Sequence, residues 1–284
     1  MAGIGRRPSL DVLLLSGPRL RGYQYRMRFN LLGPMEVLCA DGTVTPSAAK
    51  MRWILALLLL HGNRVVDQAS MIDELWGDHP PRSAVTTTQT YVYQLRKKYD
   101  YYAQREGRKS FIVTRAPGYL LHLDDDQLDV RRFQKLSAEG SALFSAGHAE
   151  RAAEVLRQAL LLWRGPALAG IAPGRLLQAH VAYLEEARLR TVQVRILADA
   201  ALGRHRDLIP ELRSLVIEHP LDEWFHQQLI TALAEAGRRG DALHACRVLH
   251  RTLADELGVV PSEPLRKLQQ DLLTGHVRRA PAHV

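Results

Sequence analysis

Between residues 83 and 100 the sequence SAVTTTQTYVYQLRKKYD sets β-branched and aromatic residues on a helical beat. Val85, Thr88, Val92, Leu95 and Tyr99 recur at spacings of three and four, which predicts one helical stripe that packs inward. The opposite stripe holds Thr87, Thr90, Gln94 and Lys97. A helix exposing hydroxyls, a carboxamide and a cationic end either solvates the outside of a domain or reads a polar surface. Composition leaves both open.

The flanking sequence narrows the choice. Short β-suited pieces between residues 28 and 45 surround Asp41-Gly42, whose tolerance of positive φ marks a hairpin turn. Ser47 is placed to cap a broadly apolar helix through KMRWILALLLLH, and Asp67 to cap a second through QASMIDELW, which ends at Gly77. GDHPPR is then a loop. After the third helix, FIVTRAPGYLLHL has two β-rich pieces around Ala116-Pro117-Gly118, predicting a hairpin with Arg115 near its tip. Sheet, three helices and hairpin make a winged helix-turn-helix.

Past residue 130 the β signals vanish and the chain reads as helices rich in Ala, Leu, Arg and Glu. GRHRDL at Gly203 and GRRGDAL at Gly237 are offset by 34 residues, the period of a tetratricopeptide helix pair. AGHAERAAEVLRQAL around Gly147 suggests an earlier copy, and GPALAGIAPG at 165–174 a loop interrupting the array. The predicted fold is therefore mainly α with small β-sheets. Its expected divisions are a disordered extension (1–26), a winged-helix domain (27–123), an acidic solvated linker (124–129, with Asp129 capping the next helix), an all-α tetratricopeptide-like domain (130–274) and a flexible tail (275–284). The sharp onset of strand-like sequence at MRFNLLGPMEV makes Met27 an alternative translation start.

Charge follows the same division. Residues 1–26 hold five Arg and one acid, residues 27–123 hold twelve bases and eight acids, and residues 124–284 hold 21 of each. The whole excess of +8 lies in the first part, which points to a polyanion-binding half joined to a neutral one.

Other chemistries find little support. No lysine follows a glycine, so a Walker-type loop is excluded, and HExxH and GxSxG motifs are absent. His244, Cys246 and His250 share one helix, where positions 244 and 250 project about 120° apart and do not converge on a metal. Cys39 and Cys246 form no CxxC pair, and no apolar run reaches membrane-spanning length. A non-enzymatic cytoplasmic protein without cofactor, catalytic residue or metal site is expected.

A helix fits the major groove of duplex DNA. There Gln pairs with adenine, Thr bonds a base or touches a thymine methyl, and Lys or Arg meets guanine or phosphate. A wing bearing Arg suits the minor groove or flanking phosphate. An RNA binder is disfavoured because the RRM aromatic signature and the KH GXXG loop are missing. The alternative from another class is a helical-repeat scaffold whose first half only supports it.

MRFNLLGPMEV, LALLLLHGNRVV, IDELWGDHPPRSAVTTTQTYVYQLRK and TRAPGYLL, followed by the helical half, resemble the Streptomyces antibiotic regulatory protein (SARP) family from Met27 to about Leu273. The resemblance implies an OmpR-like winged helix joined to a bacterial transcriptional activation domain. It implies a transcriptional activator that binds promoter direct repeats in double-stranded DNA, recruits RNA polymerase holoenzyme and switches on secondary-metabolite (antibiotic) gene clusters. Head-to-tail homodimers on the repeats are expected. By the same resemblance Thr87, Thr90, Gln94 and Arg115 read bases, Trp76 and Arg96 contact phosphate, and GDHPPR meets the polymerase. Lys97 is an expected backbone contact, and Thr86 and Tyr93 complete the DNA-binding set. Thr88 departs from the apolar residue usual on the packed face. The 26 residues ahead of Met27 are too few for a phosphorylatable receiver, and no appended ATPase module is expected.

Overall fold

The computed structural model describes residues 26–274. The extension expected over 1–26, apart from Arg26, and the tail over 275–284 lie outside them. Contacts divide the described residues into two units, 26–132 with 163–185, and 133–162 with 186–274.

In the first unit, β1 (Arg28–Asn30), β2 (Glu36–Cys39) and β3 (Gly42–Thr43) form an antiparallel sheet in the order β1-β2-β3. The predicted hairpin is present, but its two-residue loop is Ala40-Asp41, one position before Asp41-Gly42, since Gly42 pairs with Cys39 as the first residue of β3. Helix α1 (Ala49–Leu60) buries six consecutive residues from Ile54 to Leu59, as a helix apolar on every side must. Ser47 does not cap it. The N-cap is Ala48, which makes no side-chain bond, and the Ser47 carbonyl instead accepts from Arg52 Nη1 at 3.4 Å.

β4 (Val65–Asp67) precedes α2 (Gln68–Trp76), and α3 (Ala84–Arg105) leads to β5 (Ile112–Arg115) and β6 (Gly118–Leu121). Asp67 caps α2 as predicted, its Oδ1 accepting from Ser70 N at 2.8 Å. β4 was not foreseen. It becomes a strand only by pairing with β6, in the sheet order β4-β6-β5. At this crossing a Cβ on Gly118 would lie 1.9 Å from the Val66 carbonyl oxygen, so no side chain fits. The core gathers on Phe29, set edge-on to Tyr99 at 6.4 Å and to Phe111 at 6.0 Å.

Residues 124–129 only partly match a solvated linker. Asp125 and Asp126 are exposed, but Gln127, Leu128 and Asp129 are buried. Gln127 Nε2 donates to the Met27 carbonyl at 3.2 Å, and Asp129 accepts the amides of Leu31 at 2.8 Å and Leu32 at 2.9 Å. The carboxylate serves backbone amides distant in sequence, which otherwise would be left unsatisfied. Burial nevertheless pushes its pKa up.

The loop over 165–174 is a loop, yet it belongs to this unit. Arg164 and Leu168 donate backbone bonds to Leu32 at 2.7 Å and Leu31 at 2.9 Å, and the Arg164 guanidinium pairs with Glu36 at 2.7 Å. Buried Glu74 of α2 accepts the Leu176 amide at 2.8 Å, at the start of α6 (Arg175–Ala201). Gly174 permits the approach, since a Cβ there would lie 2.5 Å from the Glu74 carbonyl oxygen.

The second unit is helical. α4 (Asp129–Ser145) and α5 (Ala149–Leu160) meet at Gly147, α6 and α7 (His205–Glu218) at Gly203, and α8 (Glu223–Glu235) and α9 (Arg239–Leu257) at Gly237. These glycines have φ of +81°, +74° and +78°. The residues after them donate five positions back, His148 to Leu143 at 2.9 Å, Arg204 to Asp199 at 3.1 Å and Arg238 to Leu233 at 2.8 Å. Each is the same Schellman cap, so the turn chemistry read at a 34-residue offset is one local structure repeated. α10 (Glu263–Thr274) closes the array. Ile196, Leu212, Phe225, Ile230 and Leu249 belong to its core. At Gly140 a Cβ would lie 2.5 Å from Leu156 Cγ, so α4 and α5 approach on a glycine.

Asp199, 3% exposed, organises the charges of this unit. It pairs with Arg195 at 3.3 Å, Arg204 at 3.0 Å and Arg157, while Arg195 also reaches Glu211.

Candidate nucleic-acid interface

The buried stripe of α3 is Ala84, Thr88, Val92, Leu95, Tyr99 and Ala103. Val85, expected on it, is 50% exposed. Ala84, four residues before Thr88, is buried in its place. Thr88 fits the packed face because its Oγ1 donates to the Ala84 carbonyl at 2.8 Å, leaving its methyl to the core. Tyr99 OH donates to the Val44 carbonyl at 3.2 Å, and burial pushes its pKa upward.

About 100° per residue, the opposite face centres on Thr86, Thr90, Tyr93, Gln94 and Lys97, and all five are exposed. Tyr93 is 63% exposed, a large ring held out in water. Thr90 Oγ1 donates to the Thr86 carbonyl at 2.9 Å, which fixes its rotamer and leaves the methyl and a lone pair outward. Thr87 is half-buried at the border of the face, its amide bonded to the Ser83 carbonyl at 2.8 Å. Gln89 also lies exposed on this helix. Taking the helical phase from Ala84 instead of Val85 brings it out on the flank.

Arg115 is exposed where β5 turns into β6, with Arg115 paired to Gly118 across the two-residue loop Ala116-Pro117. Among the described residues no carboxylate pairs with Lys97, Lys98 or Arg115. Arg108 differs, since its guanidinium is bonded to Asp124 and holds that carboxyl below its ordinary range. Trp76 is half-buried and carries Lys50 Nζ 4.5 Å over its ring, a cation the sequence reading missed because the two lie on different helices. Arg96 is turned onto the wing. Its Nε donates to the Ile112 carbonyl at 2.8 Å and its Nη2 to Thr114 Oγ1 at 2.8 Å.

Residues 42–121, which contain the described side chains of α2, α3 and the wing, match the family model described as transcriptional regulatory protein, C terminal. Residues 128–273 match the bacterial transcriptional activator domain. The regulatory protein DnrI of Streptomyces peucetius is 41% identical over 87% of this chain and 92% of its own length. This chain belongs to the Streptomyces antibiotic regulatory protein family. Within that SARP family the transcriptional regulator RedD of Streptomyces coelicolor is 35% identical, over 90% of this chain and 73% of its own. The solved structure of Mycobacterium tuberculosis EmbR in complex with a low affinity phosphopeptide superposes with a TM-score of 0.83 at 33% identity, covering 90% of this chain and 67% of that one. The SARP membership makes the chain a DNA-binding transcriptional activator with an OmpR-like winged helix ahead of its helical domain. No helix among the described residues is long and apolar enough to cross a membrane.

Proposed function

We propose that this protein acts in the cytoplasm as a pathway-specific activator of a secondary-metabolite gene cluster, binding direct repeats in its promoters and recruiting RNA polymerase holoenzyme. The reading rests on one observation above all, the solvent-facing row Thr86, Thr90, Gln94 and Lys97 on a helix anchored behind by Val92, Leu95 and Tyr99. Seated in a major groove, Thr90 and Gln94 read base edges and Thr87 borders them. Tyr93 and Lys97 contact the sugar–phosphate backbone, and Arg115 reaches the adjacent minor groove. Trp76, with Lys50 stacked on it, sits beside a phosphate.

The exposed loop over 77–82 is the surface offered to polymerase, and residues 130–274 act as the activation domain. Protomers bind head-to-tail, because direct repeats present the same face twice in one direction.

Genome-wide binding followed by footprinting of the strongest promoter tests the reading. Protection of two repeats in the same orientation, with loss of transcription from that promoter when the gene is deleted, is expected. Binding to no duplex above random sequence would leave the helical-repeat scaffold as the function.

A further inference from the structure

Arg96 points neither into the core nor along the exposed row. From Gln94 and Lys97 its direction on α3 differs by at least about 100°, which aims it at the wing. β5 is the outer strand of the sheet β4-β6-β5, and the Ile112 carbonyl takes the Arg96 Nε hydrogen while Thr114 Oγ1 takes one from Nη2, both at 2.8 Å. The guanidinium also stands 5.5 Å over the ring of Tyr119, which is paired with Thr114 across the hairpin. Three contacts to two strands therefore hold one planar group.

We infer that Arg96 is a positioning residue that clamps the wing to the recognition helix, fixing the spacing at which Gln94 and Arg115 address one duplex. This rests on the DNA-binding reading above and reassigns Arg96 from the phosphate contact that family resemblance gives it. A phosphate contact asks only for a positive charge. This geometry asks for a flat fork of donors, one to a strand-edge carbonyl and one to a hydroxyl, with a face left for an aromatic ring. Lysine supplies the charge without the fork. Arg96→Lys therefore separates the two roles.

The clamp makes the two contacts interdependent. With the wing held, Arg115 is delivered to its groove without an ordering cost. With the wing loose, that cost is met at each binding event. Residues coupled through a shared element show interaction energies of about 0.5 to 3 kcal/mol, about twofold to somewhat over a hundredfold in affinity.

The test uses the full chain and the duplex that it enriches from a random-sequence library. Arg96→Lys should bind that duplex about tenfold more weakly with an unchanged dependence on salt, and should cost little in an Arg115→Ala background. Thr114→Val, which deletes one acceptor and leaves the arginine in place, should show a smaller loss of the same kind. Amide exchange in the free protein should speed up over Ile112–Arg115 and Gly118–Leu121 in Arg96→Lys.

Wild-type binding by Arg96→Lys, with a weaker salt dependence in Arg96→Ala, would overturn the clamp and restore the phosphate contact. Unchanged wing exchange in both Arg96→Lys and Thr114→Val would overturn it equally. If the wild type enriches no duplex, the DNA-binding reading falls, and with it the purpose given to the clamp, while faster exchange would still establish the contact itself.

Discussion

Replacing Asp199 with alanine should destabilise the helical unit more than any other single charge deletion in its network. The Asp199 side chain is 5% exposed and Arg195 7%, against 33% for Arg204 and 47% for Arg157. Without the carboxylate, Arg195 stays buried with Glu211, itself 43% exposed, as its remaining acid. Removing one partner of a buried pair costs about 3 to 5 kcal/mol, because the surviving charge lacks both water and compensation. Arg157→Ala removes a half-exposed member, and about 1 kcal/mol or less is expected. Amide exchange over α6 and α7, resolved by mass spectrometry, measures both without assuming that the two units unfold together. Asp199→Leu combined with Arg195→Met should recover part of the loss, since an apolar pair needs no compensation. Equal costs for Asp199→Ala and Arg157→Ala, or a cost below about 1 kcal/mol for the former, would refute the argument from burial.

Three further predictions concern the first unit. Gln94→Ala should lose about 1 to 3 kcal/mol on the cognate duplex and relax preference at one base pair; equal weakening on random DNA removes it from base reading. Lys97→Ala should weaken binding evenly across sequences and lower the salt slope by about one, a change that titration at several salt concentrations detects. Asp67→Ala should cost about 1 kcal/mol at neutral pH through loss of the α2 cap. The hydrogen bonds from Ser70 hold the Asp67 carboxyl below its ordinary range, so its contribution is complete above that range and disappears as pH falls through the depressed value. Denaturation of wild type and variant should therefore converge in acid, and a gap that widens there would contradict the cap.

What could be read from residues alone was local. The recognition helix declared itself through spacings of three and four, the wing through Ala116-Pro117-Gly118, and the helical turns through glycines followed by a polar residue, because each signal acts within one or two turns of chain. The first turn of α3 was misphased by one position, since Val85 is the more apolar residue and Ala84 the one that fits. Ser47 had the chemistry of a cap, but the helix began two residues after it. The rest was settled by partners distant in sequence. Glu74 receives the amide of Leu176, Asp129 those of Leu31 and Leu32, and Val65–Asp67 becomes a strand only beside Gly118–Leu121. No pattern of spacing announces such bonds, and the Leu176 amide, with those of Arg164 and Leu168 on Leu32 and Leu31, ties residues 163–185 to the first unit instead of the helical one. The site residues follow the same rule: the exposed row was visible in helical phase, whereas the direction of Arg96 depended on a strand sixteen residues away.

Gly118 sets a limit on how this protein can diversify. With the Val66 oxygen occupying the space of its missing side chain, this position, paired with Arg115 just behind the wing's tip, accepts no substitution. Drift toward a new operator must then be written at the fingertip, positions 115–117, or along the outer row of the helix. A lineage of such regulators would keep this glycine and exchange the fingertip beside it.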